Sequence, residues 1–194
     1  YTLITQHPNG KEGYEVIGSI VDFIFAFETP QIAIDKMAHP DTKIVSLTIT
    51  EGGYNFNPNT GDFDFENPEI QQELKNHNQP KTVFGYLTAA LRKRKAKGTP
   101  AFTILSCDNI QHNGDVARKM LLSFAQKQDP TLADWIANEV CFPNSMVDRI
   151  TPVTPKSAIE FLQNKYSIKD AWPIVCEPYI QWVIEDRFSN GRPP

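Results

Sequence analysis

Lys43-Ile44-Val45-Ser46-Leu47-Thr48-Ile49-Thr50 is the stretch that decides the fold. It is β-branched and nearly uncharged, as a central strand of a covered sheet must be. Glu51-Gly52-Gly53-Tyr54 follows at its carboxyl end. A second stretch of the same kind, Ala101 to Cys107, ends on Asp108-Asn109. Between them the residues Val83, Tyr86, Leu87, Ala90 and Leu91 recur at helical spacing, so Thr82–Ala96 reads as a helix. Strand, helix and strand in that order form a βαβ unit. The expectation is an α/β fold with a mainly parallel sheet.

Working outward, Leu3–Thr5 and Tyr14–Phe27 read as extended, with a turn at Pro8-Asn9-Gly10. Thr29-Pro30 opens a helix to about Ala38, and His39-Pro40-Asp41 ends it. Asn55–Pro80 is polar and reads mostly as loop. Asp115–Gln128, Leu132–Val140 and Ser157–Lys165 read as helices. Cys141–Arg149 reads as a short strand and turn. Ile174–Cys176 and Trp182–Ile184 are short apolar runs whose type the sequence leaves open.

The bulk numbers exclude several classes. The chain has 194 residues, enough for one domain with a real core. A formal net charge of -4 gives no global positive field for nucleic acid or an anionic membrane. Cys107, Cys141 and Cys176 are far apart and form no CxxC pair, so neither a zinc site nor a disulfide framework is expected. Isolated thiols point to a reducing cytoplasm. No apolar run is long enough to span a bilayer, since Gly18, Ser19 and Asp22 interrupt Val16–Phe27. The chain opens on a strand already under way and closes in a loop, as an internal fragment would.

Ligands of open parallel sheets bind outside the carboxyl ends of the strands. Thr50-Glu51, Asp108-Asn109 and Val147-Asp148 all fall where that rule points. Each motif also has a plainer reading. Thr48–Tyr54 could be a tight turn with an exposed glutamate. It is not the GxGxxG dinucleotide fingerprint, which is absent from this sequence. Ser106–Asp115 could be a hydrogen-bonded helix cap, although an asparagine amide can also stabilise charge on a substrate oxygen. Asp148-Arg149 could be a structural ion pair. The run Arg92-Lys93-Arg94-Lys95-Ala96-Lys97 reads as a solvated helix end that suits the helix dipole.

Thr48–Tyr54, Ser106–Asp115, Phe142–Pro152 and Cys176–Phe188, in register along the chain, resemble the polyol-specific long-chain dehydrogenases. Val147-Asp148-Arg149 sits at the heart of the segment resembling that family's signature. The resemblance implies an expanded Rossmann domain followed by a mainly helical domain, with catalysis between them. It implies NAD-dependent interconversion of D-mannitol and D-fructose without a metal, using a lysine as general base. Asn109 matches an asparagine that polarises the reacting oxygen and contacts substrate. Val147 and Asp148 match the substrate site. Glu51 matches a glutamate of the proton path, and Thr50-Glu51 lie where cofactor passes.

The resemblance further implies that residues 1–194 are the C-terminal portion of the NAD-binding domain. The first βαβ unit with its phosphate loop would precede Tyr1. The catalytic helical domain with the lysine would follow Pro194. Such a piece is expected to be inactive alone. A sister enzyme acting on fructuronate, tagaturonate or another polyol is the nearest alternative, and a truncated non-catalytic paralogue is the other. A nucleic-acid module built on Arg92–Lys97 is disfavoured by the acidic chain.

Overall fold

The computed structural model describes residues 1–57 and 59–193. The chain divides into two compact units, Tyr1–Phe23 with Val147–Trp182, and Ile24–Met146 with Val183–Pro194.

In chain order the elements begin with β1 (Thr2–Gln6) and β2 (Glu12–Val16), an antiparallel hairpin in register from Thr2↔Val16 to Gln6↔Glu12. Its turn is the expected Pro8-Asn9-Gly10, where Gly10 takes φ 78° and Asn9 Oδ1 accepts from the Lys11 amide at 3.1 Å. Extended structure was expected on to Phe27 but stops at Val16. Ile17–Phe27 has no partner strand among the described residues, and Val21, Phe23 and Phe27 are more than four-fifths exposed. Apolar, β-prone composition does not make a strand without a ladder to join.

Then follow α1 (Pro30–Ala38), β3 (Ile44–Leu47), the single turn α2 (Thr50–Gly53), α3 (Pro68–Lys75), α4 (Val83–Ala96) and β4 (Thr103–Ser106). β3 and β4 run parallel, in register from Ile44↔Thr103 to Leu47↔Ser106. This is the βαβ unit the sequence indicates. β4 is buried throughout, whereas β3 is buried only at Leu47. On its far side β4 donates from the Ile104 amide to the Cys141 carbonyl at 3.0 Å.

The helix α3 lies inside the segment expected to be loop. Only Ile70 and Glu73 of its eight residues are buried, so its apolar period is faint. The Glu73 carboxylate accepts from the Lys81 and Thr82 amides and from the Thr82 hydroxyl. It thereby satisfies free donors at the start of α4 with a charge that suits the helix dipole.

α5 (Asn113–Gln128), α6 (Pro130–Glu139) and β5 (Ser145–Asp148) complete the central stretch. α7 (Lys156–Tyr166), β6 (Ile174–Cys176) and β7 (Gln181–Ile184) follow, so both undecided apolar runs are strands. β6 joins the hairpin sheet beside β1, in parallel from Leu3↔Ile174 to Thr5↔Cys176. β5 pairs with β7 as a separate two-stranded sheet.

The larger unit packs α1, α4, α5 and α6 with β3 and β4 around Phe84, Leu91, Phe102, Ile104, Leu121 and Phe124. The smaller unit buries Ile4, Leu162 and Val175. The basic run departs from the expected solvated face. Arg94 is 1% exposed, and its guanidinium donates to the carbonyls of Met37, His39, Thr42 and Pro100. It also lies 5.0 Å from the centre of the Phe102 ring. Lys93 pairs with Asp35, and Lys95 donates to the Thr131 carbonyl. Thus the run is largely engaged within the fold. Among the described residues, no helix is long and apolar enough to cross a membrane.

Candidate functional site

The carboxyl ends of β3 and β4 lie side by side, because Leu47 and Ser106 are register partners. The Asp108 carboxylate ties the segment leaving β3 to the end of β4. One carboxylate oxygen accepts from the Thr50 amide at 2.8 Å. The other accepts from the Ile49 amide at 3.1 Å and from the Tyr54 hydroxyl at 2.7 Å. Thr50 needs that hold. Its φ of 60° is left-handed, a conformation that costs a β-branched residue about 1–2 kcal/mol. Tyr54 is fully buried and also bonds the Ser106 hydroxyl. Burial pushes its hydroxyl well above the ordinary value of 10.0, the Ser106 bond opposes the rise, and Asp108 adds to it. Tyr54 is therefore a neutral donor at physiological pH.

Glu51 and Asn109, the two residues the sequence singled out for catalysis, flank this knot. Both side chains are exposed, and neither makes a hydrogen bond among the described residues. Thr50 is exposed as well. At Gly52 an added Cβ would meet nothing within 4 Å, so the backbone of α2 faces open space. The structure thus brings Thr50-Glu51 and Asp108-Asn109 to one corner.

A second knot ties the start of α5 to β4 and β5. Asn113 is 1% exposed. Its amide donates to the carbonyls of Ser106 (3.2 Å), Asp108 (3.0 Å) and Ser145 (2.9 Å), and its oxygen accepts from the Ser145 amide at 2.9 Å. Its amide hydrogens are spent on backbone carbonyls and its oxygen holds a backbone amide, so Asn113 ties the fold together. Asn144 accepts from the Gly114 and Asp115 amides and caps α5 across the chain. Glu185 in turn receives the Asn144 amide at 2.8 Å, with Arg187 at 2.7 Å; together they hold its carboxyl below the ordinary 4.5. Gly114 has no room for a side chain, since a Cβ would stand 2.5 Å from the Pro143 carbonyl oxygen.

Val147 and Asp148 belong to the smaller unit, two and three residues beyond Ser145. Both are exposed. The plain reading of Asp148-Arg149 as an ion pair is not realised among the described residues. Arg149 Nε donates to the Glu177 carbonyl at 3.2 Å instead, which leaves the Asp148 carboxylate uncommitted.

Other sequence candidates resolve simply. His112 is left-handed, exposed and 3.7 Å from the Asp115 carboxylate. No group of three or more His, Cys, Asp or Glu side chains could hold a metal among the described residues. Cys107 is half-buried beside Asp108, and burial raises its thiol above the ordinary 9.0. Sequence reasoning named neither Asp108 nor Asn113 as a hub. Their bonds span 58 and 32 residues of chain, beyond any local motif.

Parallel strands joined by a crossover of helices, with free polar side chains at their carboxyl ends, define a Rossmann-type nucleotide-binding domain. A family model described as the mannitol dehydrogenase Rossmann domain matches residues 1–194. The chain belongs to the mannitol dehydrogenase family. Mannitol 2-dehydrogenase of Pyricularia oryzae is 52% identical over 196 residues, covering 100% of this chain and 39% of that protein. Its counterpart in Phaeosphaeria nodorum is 50% identical over 194 residues, covering 100% and 34%.

Two solved structures superimpose over the whole chain. A D-sorbitol dehydrogenase in substrate-free form gives a TM-score of 0.96 at 46% identity and is covered over 40% of its length. Pseudomonas fluorescens mannitol 2-dehydrogenase, in a ternary complex with NAD and D-mannitol, gives 0.94 at 51% and is covered over 39%. The chain spans about two-fifths of the relatives that lead the comparison, at 39% of their length.

Proposed function

We propose that this chain is the Rossmann-type portion of an NAD-dependent polyol dehydrogenase that interconverts D-mannitol and D-fructose. One observation carries the reading. Glu51 and Asn109 stand uncommitted at the carboxyl ends of adjacent parallel strands, in a fold shared throughout with a relative captured with NAD and D-mannitol.

The residues present fit one part of the cofactor. The open face at Gly52, with the Thr50 hydroxyl and the Glu51 carboxylate beside it, suits ribose hydroxyls approaching the strand ends. NAD, when bound, supplies the hydride acceptor. The chain's own residues do the polar work. The Asn109 amide donates to the substrate oxygen as negative charge develops there. Glu51 passes the released proton toward solvent. Asp148 accepts hydrogen bonds from substrate hydroxyls, with Val147 bounding them. The lysine base implied by the family resemblance is assigned to no residue of this chain.

D-sorbitol is the second candidate substrate, favoured by the TM-score of 0.96 to a D-sorbitol dehydrogenase. The two hexitols differ in configuration at one carbon, so parallel oxidation assays separate them. The direct test is NADH oxidation with fructose, using the complete dehydrogenase and the 194-residue polypeptide. Turnover is expected only from the complete enzyme, because no phosphate-cradling GxGxxG loop lies in these residues. Turnover by the short polypeptide would refute that division of labour. Inactivity of the complete enzyme on both hexitols would refute the substrate reading.

A further inference from the structure

Asp108 has been described as a structural hub, and its position makes it more than that. α2 carries Glu51 and is one turn long, too short to hold a shape by itself. Asp108 grips it at both ends. Its carboxylate takes the Thr50 amide where the turn begins and the Tyr54 hydroxyl where it ends. The next residue in the chain is Asn109. A single carboxylate therefore joins the turn that bears the proton-path residue to the residue that bears the oxyanion donor.

The carboxylate suits this task. Its two oxygens take three donors, and hydrogen bonds to an ionised acceptor are stronger than neutral ones. It also offsets the left-handed backbone at Thr50, which would relax on release and carry the adjoining Glu51 with it. Tyr54 completes the device as a buried hydroxyl kept protonated by its surroundings.

We infer that Asp108, through Tyr54 and the Thr50 amide, is a positioning residue that sets Glu51 against Asn109 for proton release during polyol oxidation. The inference rests on the proposed polyol dehydrogenase reading. It predicts a defect in turnover and its pH dependence rather than in cofactor capture.

The test uses the complete dehydrogenase with D108N, Y54F, E51Q and the double variant D108N/E51Q. Activity is expressed per site that binds NADH, so that unfolded enzyme is not counted. D108N should lower kcat for mannitol oxidation by roughly 10- to 100-fold, the scale of a small misplacement of reacting groups. KM for NAD should change by less than about 3-fold, because the defect is in the reacting geometry. Y54F should show the same pattern more weakly and displace the pH profile of kcat in the same direction. Adding E51Q to D108N should cost far less than E51Q costs the parent enzyme, since residues acting as one unit are not additive.

A D108N enzyme with parental kcat per site and an unchanged pH profile would overturn the inference, as would full additivity in the double variant. If D108N does not fold, Y54F with Y54F/E51Q answers the same question. If E51Q and N109A leave kcat unaltered, the assignment of roles under the proposed function fails instead, a separate result read from separate variants.

Discussion

The larger unit stacks Phe63, Phe84 and Phe124 around one another, with Phe63 meeting Phe84 edge-on at 5.0 Å and both within 6.0 Å of Phe124. The smaller unit rests on Ile4, Leu162 and Val175, with Tyr14, Ala158 and Ile168 packed against them. The difference is one of surface to volume. Helices on several sides of a buried strand enclose a continuous core. A hairpin, one added strand and one helix enclose little, and leave Ile150, Val153, Trp172 and Ile180 largely exposed. The larger unit can therefore hold a strained corner such as Thr50 in place. The smaller carries Val147 and Asp148 as exposed residues on a thin core that opens more readily.

The comparison breaks first at Arg94. Replacing it with Met removes the guanidinium bonds to the carbonyls of Met37, His39, Thr42 and Pro100 and should cost roughly 3–5 kcal/mol. The urea midpoint reports this, with an unchanged slope. A loss under about 1 kcal/mol would mean that the carbonyl cage contributes little to the larger unit.

Phe124→Ala should follow at about 3–4 kcal/mol, a cavity facing the two rings of Phe63 and Phe84. Its effect should appear as slower-exchanging β4 amides losing protection together with those of α4 and α5. Leu162→Ala should cost less, about 2–3 kcal/mol, because a small core relaxes around the gap. Its hydrogen-exchange signature should stay within β1, β6 and α7. If β4 loses protection equally, the two units unfold as one and the contrast drawn above is wrong.

The smallest effect belongs to Glu185. Its folded value is lowered, so its contribution is present above its ordinary 4.5 and is lost as pH falls through the lower folded value. The group is exposed and screened, so only a few tenths of a kcal/mol are expected. E185Q should lower Tm slightly at pH 7, and the gap should close in acid, below the ordinary 4.5. A gap that persists in acid would assign the effect to shape rather than charge.

The sequence makes β3, β4 and the helices α1 and α4–α7 legible because each presents an apolar period to the core. It hides α3, which buries one apolar residue. The available sign was Asn67-Pro68, where Asn67 Oδ1 caps the Glu69 amide. It also misleads over Ile17–Phe27, where apolar residues remain exposed. Pattern locates the strand ends that carry Thr50-Glu51, Asp108-Asn109 and Val147-Asp148, and the family resemblance alone implies roles for Glu51, Asn109, Val147 and Asp148. Asp108 and Asn113 could not be given their roles, because a hydrogen bond across the fold leaves no periodicity behind.

Cys107 lies next to Asp108 and two residues before the proposed oxyanion donor, and its thiol is raised by burial and by the neighbouring carboxylate. Peroxide and alkylating reagents attack the thiolate, which this environment keeps scarce at neutral pH. Cys107 should therefore react slowly with such reagents at neutral pH. A sulfur atom so near the proposed site is then a silent bystander rather than an off-switch.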